Sequence, residues 1–313
     1  MIYLFELEIQ TFPNGDACER YGIGVFQSRN QAEETAKRYL REVKGFRDYY
    51  CEYSILKTEL VGSGNTDIVH TWYGWNVDED ANEIDLLSGL FYEDADKAES
   101  AMAAAKAAND RQEWTLSCFQ IGKCEWSEGF IRDYPDGRIA PTLAELRAGL
   151  HALIVPRAMC GIEYEYCDNV QYGFPLAVGQ ALFLMAVDDD FLLNGFTVRR
   201  LRDIYEICER KGMYQTIAQR EGLTNFEVPN VDITDWEHVF RSLQALGKTV
   251  IVEREYEPDF FRLGRIEEVE KDHVLFRHVD ADGVWQEPAR IGYREITSVA
   301  FDDRYANTFS KYV

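Results

Sequence analysis

Thr142-Leu143-Ala144-Glu145 and, 92 residues on, Thr234-Asp235-Trp236-Glu237 read as the same helix start, a Thr with Glu at the third following position. In such a box the hydroxyl takes the amide three residues on, and the carboxylate reaches back to the capping amide. The first is expected to open a helix to about Leu153, the second a helix to Leu246 with Gly247 as its stop. Short strand-like runs follow each. Ile162-Glu163-Tyr164-Glu165-Tyr166 resembles Val252-Glu253-Arg254-Glu255-Tyr256. Val187-Asp188 lies 17 residues before Ile204, and Val279-Asp280 lies 17 before Ile296. Arg202-Asp203-Ile204 and Arg294-Glu295-Ile296 also match. Residues 142–222 and 234–313 are therefore expected to be two copies of a helix-plus-five-strand module, linked by 223–233 with its Pro229-Asn230.

A second duplication precedes this one. Tyr3–Gln10 alternates as a strand, Pro13-Asn14-Gly15-Asp16 signals a hairpin turn, and Tyr21–Phe26 is the returning strand. Ser28-x-x-Gln31 reads as a capping box for a helix to about Val43, Gly45 as its stop, and Tyr49–Leu60 as a third strand. Gly62-Ser63-Gly64-Asn65-Thr66 reads as a flexible joint. The order then returns. His70–Val77 and Asp85–Tyr92 are strands about an Asp78–Asn82 turn, Asp94 caps an Ala-rich helix to about Asn109, and Trp114–Trp126 is a strand. Gly24-Val25-Phe26 matches Gly89-Leu90-Phe91. Residues 1–61 and 67–131 thus read as two ββαβ units, each too small to bury a good core alone and expected to pack together.

A capped helix feeding five short bent strands suits a small barrel, because closure removes exposed sheet edges. Gly264-x-Ile266-x-x-Val269-Glu270-x-x-His273-Val274-Leu275 resembles the first motif of the Sm-like (SH3-type) barrel, over residues 234–313 and more faintly 142–222. The resemblance implies two tandem helix-plus-five-strand Sm-like barrels; placed after the two tandem ββαβ units, which it does not cover, they make an α+β chain. It also implies RNA reading by an Asn in the turn and an Arg-Gly pair before the last strand. Here Val274 and about Leu182 stand at the Asn position, and Gly292-Tyr293 and Arg199-Arg200 at the pair. An apolar side chain cannot hydrogen-bond a base edge, so that RNA reading is not expected to carry over.

Charge points the same way. The net charge is −22, distributed as −2 over 1–61, −10 over 62–141, −3 over 142–222 and −7 over 223–313. Such a field repels phosphate and anionic membranes and favours basic partners or solubility. Apolar residues make up 46%, enough for folded cores. The start of the chain alternates apolar and acidic residues, and no run approaches a membrane span, so a cytoplasmic location is expected. Seven scattered Cys without Cys-x-x-Cys suggest reduced thiols rather than a disulfide framework or zinc. Cys118 with Cys124, or Cys160 with Cys167, are the pairings to consider.

Candidate sites are few. Arg199, Arg200 and Arg202 form the tightest basic cluster, suited to a phosphate or an acidic partner, or to pairing with Asp188, Asp189, Asp190 and Asp203. Trp72, Tyr73 and Trp75 crowd one strand and would suit a partner if exposed, or the core if covered. Asp188-Asp189-Asp190 and Asp280-Ala281-Asp282-Gly283 are acidic turns without the full spacing of a calcium loop. No His-x-x-x-His pair, phosphate loop or Gly-x-Ser-x-Gly occurs, and no metal or cofactor is expected. The expectation is a non-enzymatic protein-interaction or scaffold protein. An acidic mimic of the immunity or anti-restriction type, an Sm-like RNA binder of altered specificity, and an enzyme with a site at a module junction are the alternatives.

Overall fold

A computed structural model describes residues 1–10, 18–75, 86–109, 113–134, 136–257 and 259–313. The expected turns at 13–16 and 78–82 lie outside these. The chain divides into two compact units, the described residues from Met1 to Asp133 and those from Tyr134 to Val313. Both carry helices and sheet, so the class is α+β. No described helix is long and apolar enough to cross a membrane.

In the first unit β1 (Ile2–Gln10), β2 (Cys18–Phe26), α1 (Arg29–Glu42) and β3 (Cys51–Val61) are followed by β4 (Ile68–Trp75), β5 (Leu86–Leu87), β6 (Leu90–Tyr92), α2 (Ala95–Ala108) and β7 (Glu113–Gln120). The sheet runs β2-β1-β3-β6-β4-β5, with β7 on β4. Its join is parallel: Glu59, Leu60 and Val61 face Leu90, Phe91 and Tyr92. Ser28 caps α1 by accepting the Gln31 amide, and Asp94 caps α2.

Three expectations are corrected here. The strand expected over Asp85–Tyr92 breaks in two at Ser88-Gly89, where Gly89 has φ +67° and the Ser88 hydroxyl bonds Thr71 at 2.6 Å. The strand expected to reach Trp126 stops at Gln120. Past it the chain turns through Gly122 (φ +81°) and runs beside β2, Gly122 N donating to Val25 O and Glu125 N to Ile23 O, both 2.8 Å. The 62–66 joint is tied down by Glu93, whose carboxylate collects the amides of Ser63, Gly64 and Asn65, and these bonds hold it below the usual carboxylate range.

The second unit begins with α3 (Leu143–Ile154), whose Leu146, Leu150 and Leu153 recur at helical spacing and are buried. β8 (Cys160–Tyr164), β9 (Cys167–Val178), β10 (Leu182–Asp189), β11 (Leu192–Arg200) and β12 (Ile204–Glu209) follow, with a 3₁₀ turn at Leu201–Asp203. After α4 (Met213–Arg220) the order repeats: α5 (Trp236–Ala245), β13 (Val250–Glu253), β14 (Phe261–Val269), β15 (His273–Val279), β16 (Ala289–Gly292), a 3₁₀ turn at Tyr293–Glu295, β17 (Ser298–Phe301) and then α6 (Arg304–Phe309). α4 and α6 are additional to the helices expected from the sequence.

Ten strands form one sheet, β12-β8-β9-β10-β11-β17-β13-β14-β15-β16. Each half uses the same order, last strand beside first, then second, third and fourth. The fourth strand of the first half, β11, pairs with the last strand of the second, β17, so Phe196, Thr197, Val198 and Arg199 face Phe301, Ala300, Val299 and Ser298. One apolar cluster crosses this seam, taking in Leu184, Val198, Phe240, Val252, Val299 and Phe301. Thr142 makes both bonds of its capping box. At the second helix the cap is Asp235, which accepts the His238 amide at 2.9 Å, and not Thr234. Asp232 takes the Thr234 hydroxyl at 2.6 Å, leaving the adjacent carboxylate to face the helix N-terminus.

Candidate functional site

β11 alternates as a strand must. Val198 points into the seam core, and Thr197 and Arg199 point to the opposite face. Register extends that face across the seam. Arg199 lies opposite Ser298, and Ser298 opposite Glu253 of β13; one step along, Thr197 lies opposite Ala300, and Ala300 opposite Ile251. These two rows floor a cavity of about 420 Å³, walled by Gln171, Asn194, Phe261, Asp303 and Tyr305 among others.

The floor is charged and largely buried. The Arg199 side chain is 6% exposed; its Nη2 bonds the Glu255 carboxylate and its guanidinium lies 4.0 Å from the Tyr164 ring centroid. Thr297, fully buried, binds both ends of Glu255: its hydroxyl accepts the Glu255 amide at 3.0 Å and lies 3.0 Å from Oε2. Ser298 donates to Glu253 Oε2 at 2.7 Å. Burial, reinforced by the neighbouring Glu255 charge, raises the Glu253 carboxyl above the ordinary carboxylate range.

That direction fixes a pH effect. A carboxyl with a raised folded pKa holds its proton more tightly folded than unfolded, so its contribution declines as pH rises from the ordinary carboxylate range through the raised value. Glu253→Gln is expected to stabilise the unit at pH 7.5 relative to wild type, with the gain shrinking towards pH 4. Urea midpoints at the two pH values measure it, and a gain of equal size at both would refute the assignment.

The sequence candidates fall in two places. Arg199 and Arg200 are buried at 5% each, and their partners are Glu255 and Asp203 rather than Asp188–Asp190. Arg200 Nη1 also donates to the Arg294 carbonyl at 3.0 Å, as Arg202 Nη2 does at 3.4 Å, and Arg202 lies 3.8 Å from Asp203. Only Arg199 of the three lines the cavity. In the first unit, Trp72 is buried under α2 against Trp114, ring centroids 5.7 Å apart. Burial, with Glu6 nearby, pushes the Tyr73 phenol up to about 12. Trp75 ends β4, and its side chain lies outside the described set.

The acidic turns have local duties. Asp280 accepts the amides of Asp282 and Val284 and the Gln286 side chain. Asp190 and Phe191, with φ of +50° and +64°, make the two-residue turn between β10 and β11. Among the described residues no group of three His, Cys, Asp or Glu could hold a metal ion.

Glu253, Glu255, Thr297, Ser298 and Tyr305 were not singled out by sequence. Their one local signal is an acid, Glu253, closing the apolar run Val250-Ile251-Val252. Comparison with family models, curated proteins and solved structures finds no match.

Proposed function

We propose that the chain is a non-enzymatic interaction protein, in which two Sm-like (SH3-type) modules fused at one strand seam form a scaffold for another, basic protein in the cytoplasm. The observation that carries this reading is the β11–β17 pairing, which joins two equivalent strand sets into one sheet and leaves β12 and β16 as its end strands. The helix-first order, the five strands and the 3₁₀ turn before each last strand support the Sm-like assignment.

β16 is the end better suited to adding a strand. Tyr293 N donates to Asp272 O, so by antiparallel alternation along the ladder Gly292 and Arg290 turn their backbone groups outward. At β12 the ring of Tyr205 is covered by Tyr134, centroids 4.4 Å apart, and by Arg138, which also pairs with Glu206. A net charge of −22 disfavours nucleic acid and favours a basic partner, whose binding would weaken with salt.

Affinity capture from the native host at low and high salt tests this, with wild type beside Arg290→Pro, which removes an outward edge amide at a position an end strand tolerates. One stoichiometric protein is expected with wild type at low salt, reduced about tenfold or more by the variant. Equal capture by the folded variant would exclude β16. No captured protein, together with turnover of a small molecule, would refute the whole reading.

A further inference from the structure

The cavity over the seam is distinct from the sheet ends, and its chemistry is two-sided. On one side Arg199 is nine-tenths buried, and its Nε and Nη1 have no hydrogen-bond partner; only Nη2 is bonded, to Glu255. A buried guanidinium with unmet donors is costly, and an acceptor entering the cavity would offset that cost. On the other side stand two carboxylates. Glu253 holds one bond, from Ser298, and Asp303 accepts the Ala306 amide at 3.0 Å with Oδ1. Arg199 and Glu253 are separated by Ser298 in one cross-strand row.

The mouth is aromatic. Phe261 and Tyr305, 44% and 55% exposed, meet edge to face with centroids 5.9 Å apart. Two exposed rings beside a polar floor are an apolar surface with no described cover. An anion alone would satisfy Arg199 and be repelled by Glu253 and Asp303. A cation alone would satisfy the acids and leave the guanidinium donors unmet. Both sides are met by a molecule carrying a carboxylate and an ammonium a few bonds apart.

We propose that this cavity binds a free α-amino acid, its carboxylate towards Arg199, its ammonium towards Glu253 and Asp303, and its side chain against Phe261 and Tyr305. The volume of about 420 Å³ falls in the range of small-molecule pockets. Ile251 and Ala300 on the floor favour an apolar side chain.

The test uses the full chain with each of the standard L-amino acids at millimolar concentration, read by thermal shift and titration calorimetry. At least one apolar amino acid is expected to raise Tm by several degrees. Its N-acetyl and its amide derivatives, each lacking one charge, should bind about tenfold or more weakly. Glu253→Gln and Tyr305→Ala should weaken binding likewise; Tyr305 is half exposed, so its variant is expected to fold even where an Arg199 variant does not. No shift with any amino acid would overturn the proposal. Equal binding of the acetylated or amidated form would too, as would unchanged binding in both variants. Because the readout is a small molecule on the isolated chain, its failure leaves the partner reading standing, and the converse holds.

Discussion

Asp203→Ala lowers the stability of the second unit by about 3–5 kcal/mol, the range for removing one partner of a buried ion pair. Asp203 and Arg200 expose only 7% and 6% of their side chains, and the Asp203 carboxylate is the anionic partner of Arg200. Without it the guanidinium keeps only the Arg294 carbonyl at 3.0 Å. Asp203 also accepts from the Tyr166 hydroxyl at 3.4 Å, so its loss strips a second buried donor. The cost comes from an uncompensated buried charge rather than from the worth of the pair. Replacing both members, Arg200→Met with Asp203→Leu, should therefore recover most of it. Urea unfolding of the two single variants and the double measures this. A single variant within about 1 kcal/mol of wild type would show that the pair does not hold the 3₁₀ turn in place.

Gly264→Ala is expected to cost about 3 kcal/mol and to lower Tm by roughly 6–12 °C in a unit of this size. A β-carbon on Gly264 would lie 2.0 Å from the Arg277 carbonyl oxygen and 2.7 Å from the His278 α-carbon, both backbone atoms of the paired strand. Gly173, on the second strand of the first half as Gly264 is on that of the second, would meet the Ala186 carbonyl oxygen at 2.1 Å. Alanine there should be comparably costly. The contrast is Gly247, at φ +64° with nothing within 4 Å of its would-be β-carbon, where alanine costs about 1 kcal/mol through backbone strain alone. Thermal unfolding of the three variants ranks them. Gly264→Ala no worse than Gly247→Ala would mean that the strands do not approach so closely.

Local features of this chain were legible wherever the physics is local. The Thr142 box, the Asp94 cap and the Gly247 stop involve atoms a few residues apart, and each forms as its residues dictate. At the second helix the cap is Asp235 instead of Thr234 because Asp232, two residues upstream, competes for the Thr234 hydroxyl. Two expected strands run through glycines that turn the chain, Gly89 and Gly122; at Gly89 the match of Gly24-Val25-Phe26 to Gly89-Leu90-Phe91 conceals a positive φ that Gly24 lacks.

The candidate site was hidden for a different reason. Arg199 and Arg200 at a strand end look like a surface cluster, and only Glu255 and Asp203, brought up by pairing and by the 3₁₀ turn, make their burial tolerable.

By itself, the sequence determined an α+β chain with its helix starts, its strand spacing and the recurrence of Arg202-Asp203-Ile204 as Arg294-Glu295-Ile296, because caps and periodicity are short-range. Tertiary structure alone decided that β3 runs parallel to β6, that β11 lies beside β17, and that Arg199, Ser298 and Glu253 stand in one row. Strand partners are chosen by which pairing closes the sheet over a common core, and the residues that meet there, Glu59 with Leu90, Glu253 with Ser298 and Arg199 with Ser298, are too far apart in the chain for any local pattern to reach.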